Sequence, residues 1–74
     1  MRFDYAKLLG KITEICGTQA KFADNIGLSE RTVSLKLNNR IPWKQNEIRN
    51  VCQVLQIPDA EIGLYFFTQE VQSA

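Results

Sequence analysis

Near the N-terminus apolar residues recur at helical intervals: Tyr5, Leu8, Leu9, Ile12, Ile15 and Cys16 fall at i, i+3, i+4, i+7, i+10 and i+11. Asp4 precedes this stripe as an N-cap and Gly17 follows it as a stop, so a first helix is predicted between them. Thr18 caps a second, shorter helix over 19–26, with Phe22, Ala23 and Ile26 on one face and Gly27 supplying the left-handed turn at its end. Leu28 plugs that turn. Ser29 then caps a third helix over 30–38, which buries Val33 and Leu37 and turns Arg31, Ser34, Leu35 and Asn38 to the opposite side.

After the Ile41-Pro42 break, a fourth helix runs from Lys44 or Gln45 to Leu55 and buries Ile48, Val51, Cys52 and Leu55, with Trp43 packing on the edge of the core at its entry. Pro58 can open a fifth short helix, Asp59 to about Tyr65, because proline is tolerated in a first turn. No segment alternates with period two over more than four residues, and nothing repeats. The pattern predicts one all-α, five-helix domain over 1–67, followed by a flexible C-terminal tail over 68–74.

Size and composition narrow the functions available to such a domain. A chain of 74 residues, 45% apolar and 23% charged, buries only about 60% of the surface its unfolded form exposes, which leaves little room for a deep catalytic cleft. There is no histidine, no pair of carboxylates at a workable spacing and no glycine-rich phosphate loop, so catalysis is not expected. Cys16 and Cys52 stand outside any CxxC spacing and are read as reduced core thiols, with no metal and no cofactor implied. The chain has no apolar run of bilayer length and no signal-peptide pattern at its start, so a cytoplasmic location is expected.

The net charge of +1 is uninformative, but its distribution is not. Met1 to Glu30 is neutral, Arg31 to Arg49 carries five cations against Glu47 alone, and Asp59, Glu61 and Glu70 make the end of the chain acidic. A basic middle on a near-neutral chain marks an anion-facing surface if folding gathers it, and a solvated helix face if it does not.

The segment TQAKFADNIGLSERTVSLKLNN, Thr18 to Asn39, resembles the helix-turn-helix of the phage Cro/CI-like repressors, also called the XRE family, with Gln19, Phe22, Ala23, Gly27, Leu28, Ser29, Val33, Ser34 and Asn38 at the matching positions. The likeness extends in order and length over the five helices. It implies a compact lambda-repressor-like DNA-binding domain whose third helix lies in the major groove of an operator. Two positions depart from that family's pattern. Lys36 stands where an apolar residue is common, so Leu37 is expected as the deep anchor with Lys36 turned sideways toward a phosphate, and Gln56 stands where a glycine stop is frequent.

The resemblance and the side-chain chemistry together nominate a surface. Gln19 would bond a phosphate alongside the free N–H groups of the second helix. Arg31 can donate twice to guanine, Ser34 can bond a base or a phosphate, and Leu35 can touch a thymine methyl. Glu30 could accept from a cytosine amine, orient Arg31, or serve only as a favourable first-turn acid. Ser29 and Thr32, at the N-terminal turn of this helix, are counted among the DNA-binding residues. Lys36, Asn38, Asn39, Arg40, Lys44 and Gln45 are assigned to the phosphates beyond it.

The function expected is that of a sequence-specific double-stranded-DNA-binding regulator of the phage or prophage repressor type. The alternative is a protein-interaction module, such as an antitoxin or antirepressor, that keeps the same fold. Lysine is depleted in protein interfaces and enriched at DNA-facing surfaces, which favours DNA. One reading helix covers too few base pairs to single out an operator, so a homodimer is expected, at least on DNA. The C-terminal cluster Leu64, Tyr65, Phe66 and Phe67 is its candidate surface, with Tyr65 and Phe66 turned into the core and Phe67 outward. No small-molecule ligand and no membrane partner are suggested.

Overall fold

The computed structural model describes residues 2–71 and contains five α-helices: α1 (Ala6–Cys16), α2 (Gln19–Ile26), α3 (Glu30–Leu37), α4 (Gln45–Leu55) and α5 (Ile62–Phe66), the last entered through a 3-10 turn at Asp59–Glu61. Among the described residues the only β-type pairing is an isolated antiparallel bridge between Phe3 and Gln69. The fold is all-α, as the periodicity predicts. Among the described residues no helix is long and apolar enough to cross a membrane.

α2 is the hub, packing against α1, α3 and α4, while α5 closes on α1. The core joins Leu8 and Ile12 of α1 to Phe22 and Ala23, Val33 and Leu37, Val51, Cys52 and Leu55, and Tyr65 and Phe66. Leu9 and Ile15, expected on the inner stripe of α1, are 42% and 44% exposed. The buried row of α1 is Leu8, Ile12 and, in part, Cys16 at i, i+4 and i+8, and the flanking apolar positions Leu9 and Ile15 stay at the surface. The helix starts at Ala6 instead of Tyr5, and Asp4 still receives the Ala6 N–H on its carboxylate at 2.9 Å.

Three helices end in the same manner. At the end of α2, Gly27 has φ 74°, and the Gly27 and Leu28 N–H groups bond to the carbonyls of Asp24 and Ala23. At the end of α3 this left-handed position is Asn39 (φ 61°), with Asn39 bonded to Lys36 and Arg40 to Leu35. At the end of α4 it is Gln56 (φ 56°), with Ile57 bonded to Cys52. Gln56 thus does the work of the glycine it replaces, in a conformation that disfavours a Cβ.

Residues 68–70, at the start of the expected tail, pair with the N-terminal segment. The Asp4 N–H donates to the Thr68 carbonyl at 2.7 Å and the Glu70 N–H to the Arg2 carbonyl at 3.0 Å, which ties the two ends of the chain together. Residues 72–74, the end of that tail, lie outside the described residues. Tyr65 and Phe66 are buried and Phe67 is 55% exposed, the arrangement expected of this cluster.

Candidate nucleic-acid interface

The α2–α3 pair is positioned by short-range chemistry. The Thr18 hydroxyl accepts the Lys21 N–H at the start of α2, and the Ser29 hydroxyl accepts the Thr32 N–H at 3.1 Å at the start of α3. Ser29 also donates to the Thr32 hydroxyl at 2.8 Å, so these two side chains satisfy each other as a cap. Gln19 is half-buried on the first turn of α2. With Val33 fully buried and Leu37 nearly so, the register of α3 turns Arg31 and Asn38 to solvent and leaves Ser34 and Leu35 half-exposed.

Arg31, Arg40 and Lys44 are exposed, and among the described residues none of their side chains enters an ion pair. Glu30 is likewise exposed, and among the described residues it enters no ion pair with Arg31. Asn38 folds back along α3, donating to the Ser34 carbonyl at 2.8 Å and to its hydroxyl at 3.4 Å. Gln45 is exposed at the first position of α4.

Two of the residues assigned to phosphates are placed otherwise. Lys36 is only 2% exposed, and its Nζ lies 2.7 Å from Glu47 Oε1, donates to the Pro42 carbonyl at 2.8 Å and stands over the Trp43 ring at 5.7 Å. An ammonium on the buried side of α3 requires a buried partner, and Glu47 at the start of α4 supplies it. Desolvation pushes the Glu47 carboxyl up, but the Lys36 hydrogen bond, the Lys44 N–H at 2.8 Å and the charges of both lysines outweigh it and hold the group below its ordinary value. Asn39 is the other correction. Its amide is spent on the backbone of Phe3, accepting the Phe3 N–H at 2.8 Å and donating to the Phe3 carbonyl at 2.9 Å. An asparagine directly after a helix is a left-handed stop candidate, and that is the signal by which the sequence could have placed Asn39.

The Lys36–Glu47 pair has an electrostatic consequence. Glu47 is the only acid between Arg31 and Arg49, and it is cancelled inside the fold by the only buried cation of that segment. The exposed charge of the segment is therefore Arg31, Arg40, Lys44 and Arg49, with no exposed anion among them.

The structure also brings in a residue the sequence did not suggest. Arg2 joins Ser34, Leu35, Asn38 and Arg40 around a notch of about 260 Å³ on the outer side of α3. Nothing local predicts this neighbourhood, because it depends on Asn39 gripping Phe3 across the fold. Cys16 and Cys52 are both free thiols, and burial pushes the Cys52 thiol above its ordinary value.

No curated protein matches the chain. Among solved structures it is similar to the modulator of repression (MOR) of the temperate bacteriophage TP901-1 from Lactococcus lactis, determined in solution, with 54% identity, a TM-score of 0.81 and 97% of each chain covered. The model of the family described as "Protein of unknown function (DUF739)" matches residues 1–69, nearly the whole sequence, and the chain belongs to that family.

Proposed function

We propose that this protein is a non-catalytic regulator in a phage repression circuit and that it works by laying α3 into the major groove of double-stranded DNA. The observation that carries this reading is the unopposed charge around the reading helix, with Arg31, Arg40, Lys44 and Arg49 exposed and the segment's one acid neutralised internally. Arg31 reads a guanine edge, Leu35 meets a thymine methyl and Ser34 bonds a base or phosphate. Gln19, Arg40, Lys44 and Gln45 hold the flanking phosphates. The resemblance to Cro/CI-like repressors supports this reading at the level of the helix-turn-helix. The protein acts in the host cytoplasm, and two copies bind half-sites about 10 base pairs apart.

One observation favours a second reading. The similar phage protein is described as a modulator of repression, and such a modulator can act on the repressor itself, through the same fold and without reading DNA. Selection from fragments of the parent phage genome, with and without the phage repressor, separates the two. Retention of a defined fragment by this protein alone supports DNA reading, and Arg31→Ala then loses about 1 to 3 kcal/mol on that fragment while random DNA is little affected. Failure to retain any fragment at low salt, together with co-migration with the repressor, establishes the second reading.

A further inference from the structure

We propose that the notch beside α3 is a phosphate site, lined by Arg2 and Arg40 together with Ser34, Leu35 and Asn38. The proposal deepens the DNA-binding reading and rests on it: the occupant is a backbone phosphate flanking the base pairs that α3 reads. It adds to that surface a cation from the far N-terminus and explains how the fold puts it there.

Arg2 and Arg40 both line the notch, and the backbone at the root of each is held by hydrogen bonds. Asn39 stops α3 and holds both polar groups of the Phe3 peptide backbone, and the Phe3–Gln69 bridge holds the same short segment from its other side. Arg2, next along the chain, is therefore brought beside α3. Arg40 departs from a backbone N–H bonded to the Leu35 carbonyl at 2.9 Å, which fixes the root of its side chain. Guanidinium groups are planar forks of donors that match phosphate oxygens, and two of them border this one notch.

The rest of the lining agrees with an oxyanion. None of the five residues is acidic. The Ser34 hydroxyl already accepts from Asn38, so its own hydrogen remains to be donated. Arg2 meanwhile bonds an oxyanion of the protein itself, since its Nε donates to the Glu70 carboxylate at 3.3 Å. Both side chains of that pair are substantially exposed, at 58% and 44%, so it is a weak, exchangeable contact. Glu70 holds Arg2 in place until a phosphate displaces it.

The test is a salt titration of binding to a fluorescent random-sequence duplex of about 20 base pairs, read by anisotropy. Each neutralised phosphate contributes about 0.9 to the slope of log K against log salt, so loss of both arginines from this one site lowers the slope by about 0.9 in total, and Arg2→Ala and Arg40→Ala share that loss. Glu70→Gln tightens binding several-fold at low salt. An Arg2→Ala protein that melts normally and keeps the full slope overturns the site while leaving DNA binding intact. If the unaltered protein does not bind the duplex, the DNA reading fails, and titration with inorganic phosphate followed on the arginine Nε–H resonances decides the notch by itself. Saturable shifts confined to Arg2 and Arg40 keep it as an oxyanion site, whereas absent or uniform arginine shifts remove it.

Discussion

At Gly27 the backbone takes φ 74° and ψ 27°, and a Cβ built there meets nothing within 4 Å. The demand for glycine is thus purely conformational. A β-branched residue is a poor occupant of this region, so Gly27→Val lowers stability by more than about 1 kcal/mol, and an unchanged denaturant midpoint would refute the turn geometry. Lys36 presents the opposite situation, a residue whose surroundings determine everything. It occupies a position where an apolar side chain would suffice, and its ammonium is tolerated only because Glu47 and the Pro42 carbonyl receive it. Lys36→Ala strands the Glu47 carboxylate and costs about 3 to 5 kcal/mol, whereas Lys36→Met combined with Glu47→Leu is close to neutral. The loss is expected in a urea melt and not in the salt dependence of DNA binding, the reverse of a phosphate contact. Because the folded pKa of Glu47 lies below its unfolded value, ordinarily about 4.3, its contribution is present above that value and fades as pH falls through the folded one. Glu47→Gln flattens the acid limb of the stability profile, and an unchanged limb would show that the pair is not coupled to folding.

At the level of the helices, local rules account for most of what was legible. The caps Thr18 and Ser29, the Gly27 stop and the Val33–Leu37 face each depend on residues within a turn or two, and sequence spacing reports such relations directly. The contacts of Lys36 and Asn39 are not legible in the sequence because their partners are remote. Glu47 lies in the next helix, and the backbone of Phe3 lies 36 positions away. The remaining oddity in the sequence, Gln56 in place of a glycine, proved to be a departure in residue type and not in geometry. A left-handed conformation costs an L-residue about 1 to 2 kcal/mol, and part of that relief is offset by the extra freedom of glycine in the unfolded chain. Gln56→Gly should therefore stabilise the protein by about 0.5 to 1 kcal/mol, measured by urea unfolding. A destabilised variant would mean that the Gln56 side chain holds the α4–α5 join through a contact of its own.

For the whole molecule, the decisive relation is between its two ends. The sequence reads the last residues as a polar trailing segment, because an isolated pairing of two short stretches leaves no periodic signal. Yet Asp4 and Glu70 donate backbone hydrogen bonds across to Thr68 and Arg2, and Phe67 packs edge-on against Phe3 with ring centroids 5.9 Å apart. The same face carries the exposure expected of an assembly surface, since Leu64 is 51% and Phe67 55% exposed. Removal of residues 68–74 separates these two roles. It deletes both backbone bonds, each worth about 0.5 to 1.5 kcal/mol net, so the shortened chain should be about 1 to 3 kcal/mol less stable, and the Asp4 amide should lose its protection from hydrogen exchange. It also releases Arg2 from Glu70, so its DNA affinity at low salt should not fall in proportion to its stability. Phe67→Ser keeps the backbone pairing and removes only the exposed ring. If two copies meet through this face, sedimentation on DNA shifts from two chains per site to one in Phe67→Ser while the truncated chain still pairs. An unchanged assembly in Phe67→Ser moves the interface elsewhere, and one chain per site in the unaltered protein at every concentration rules out the dimer.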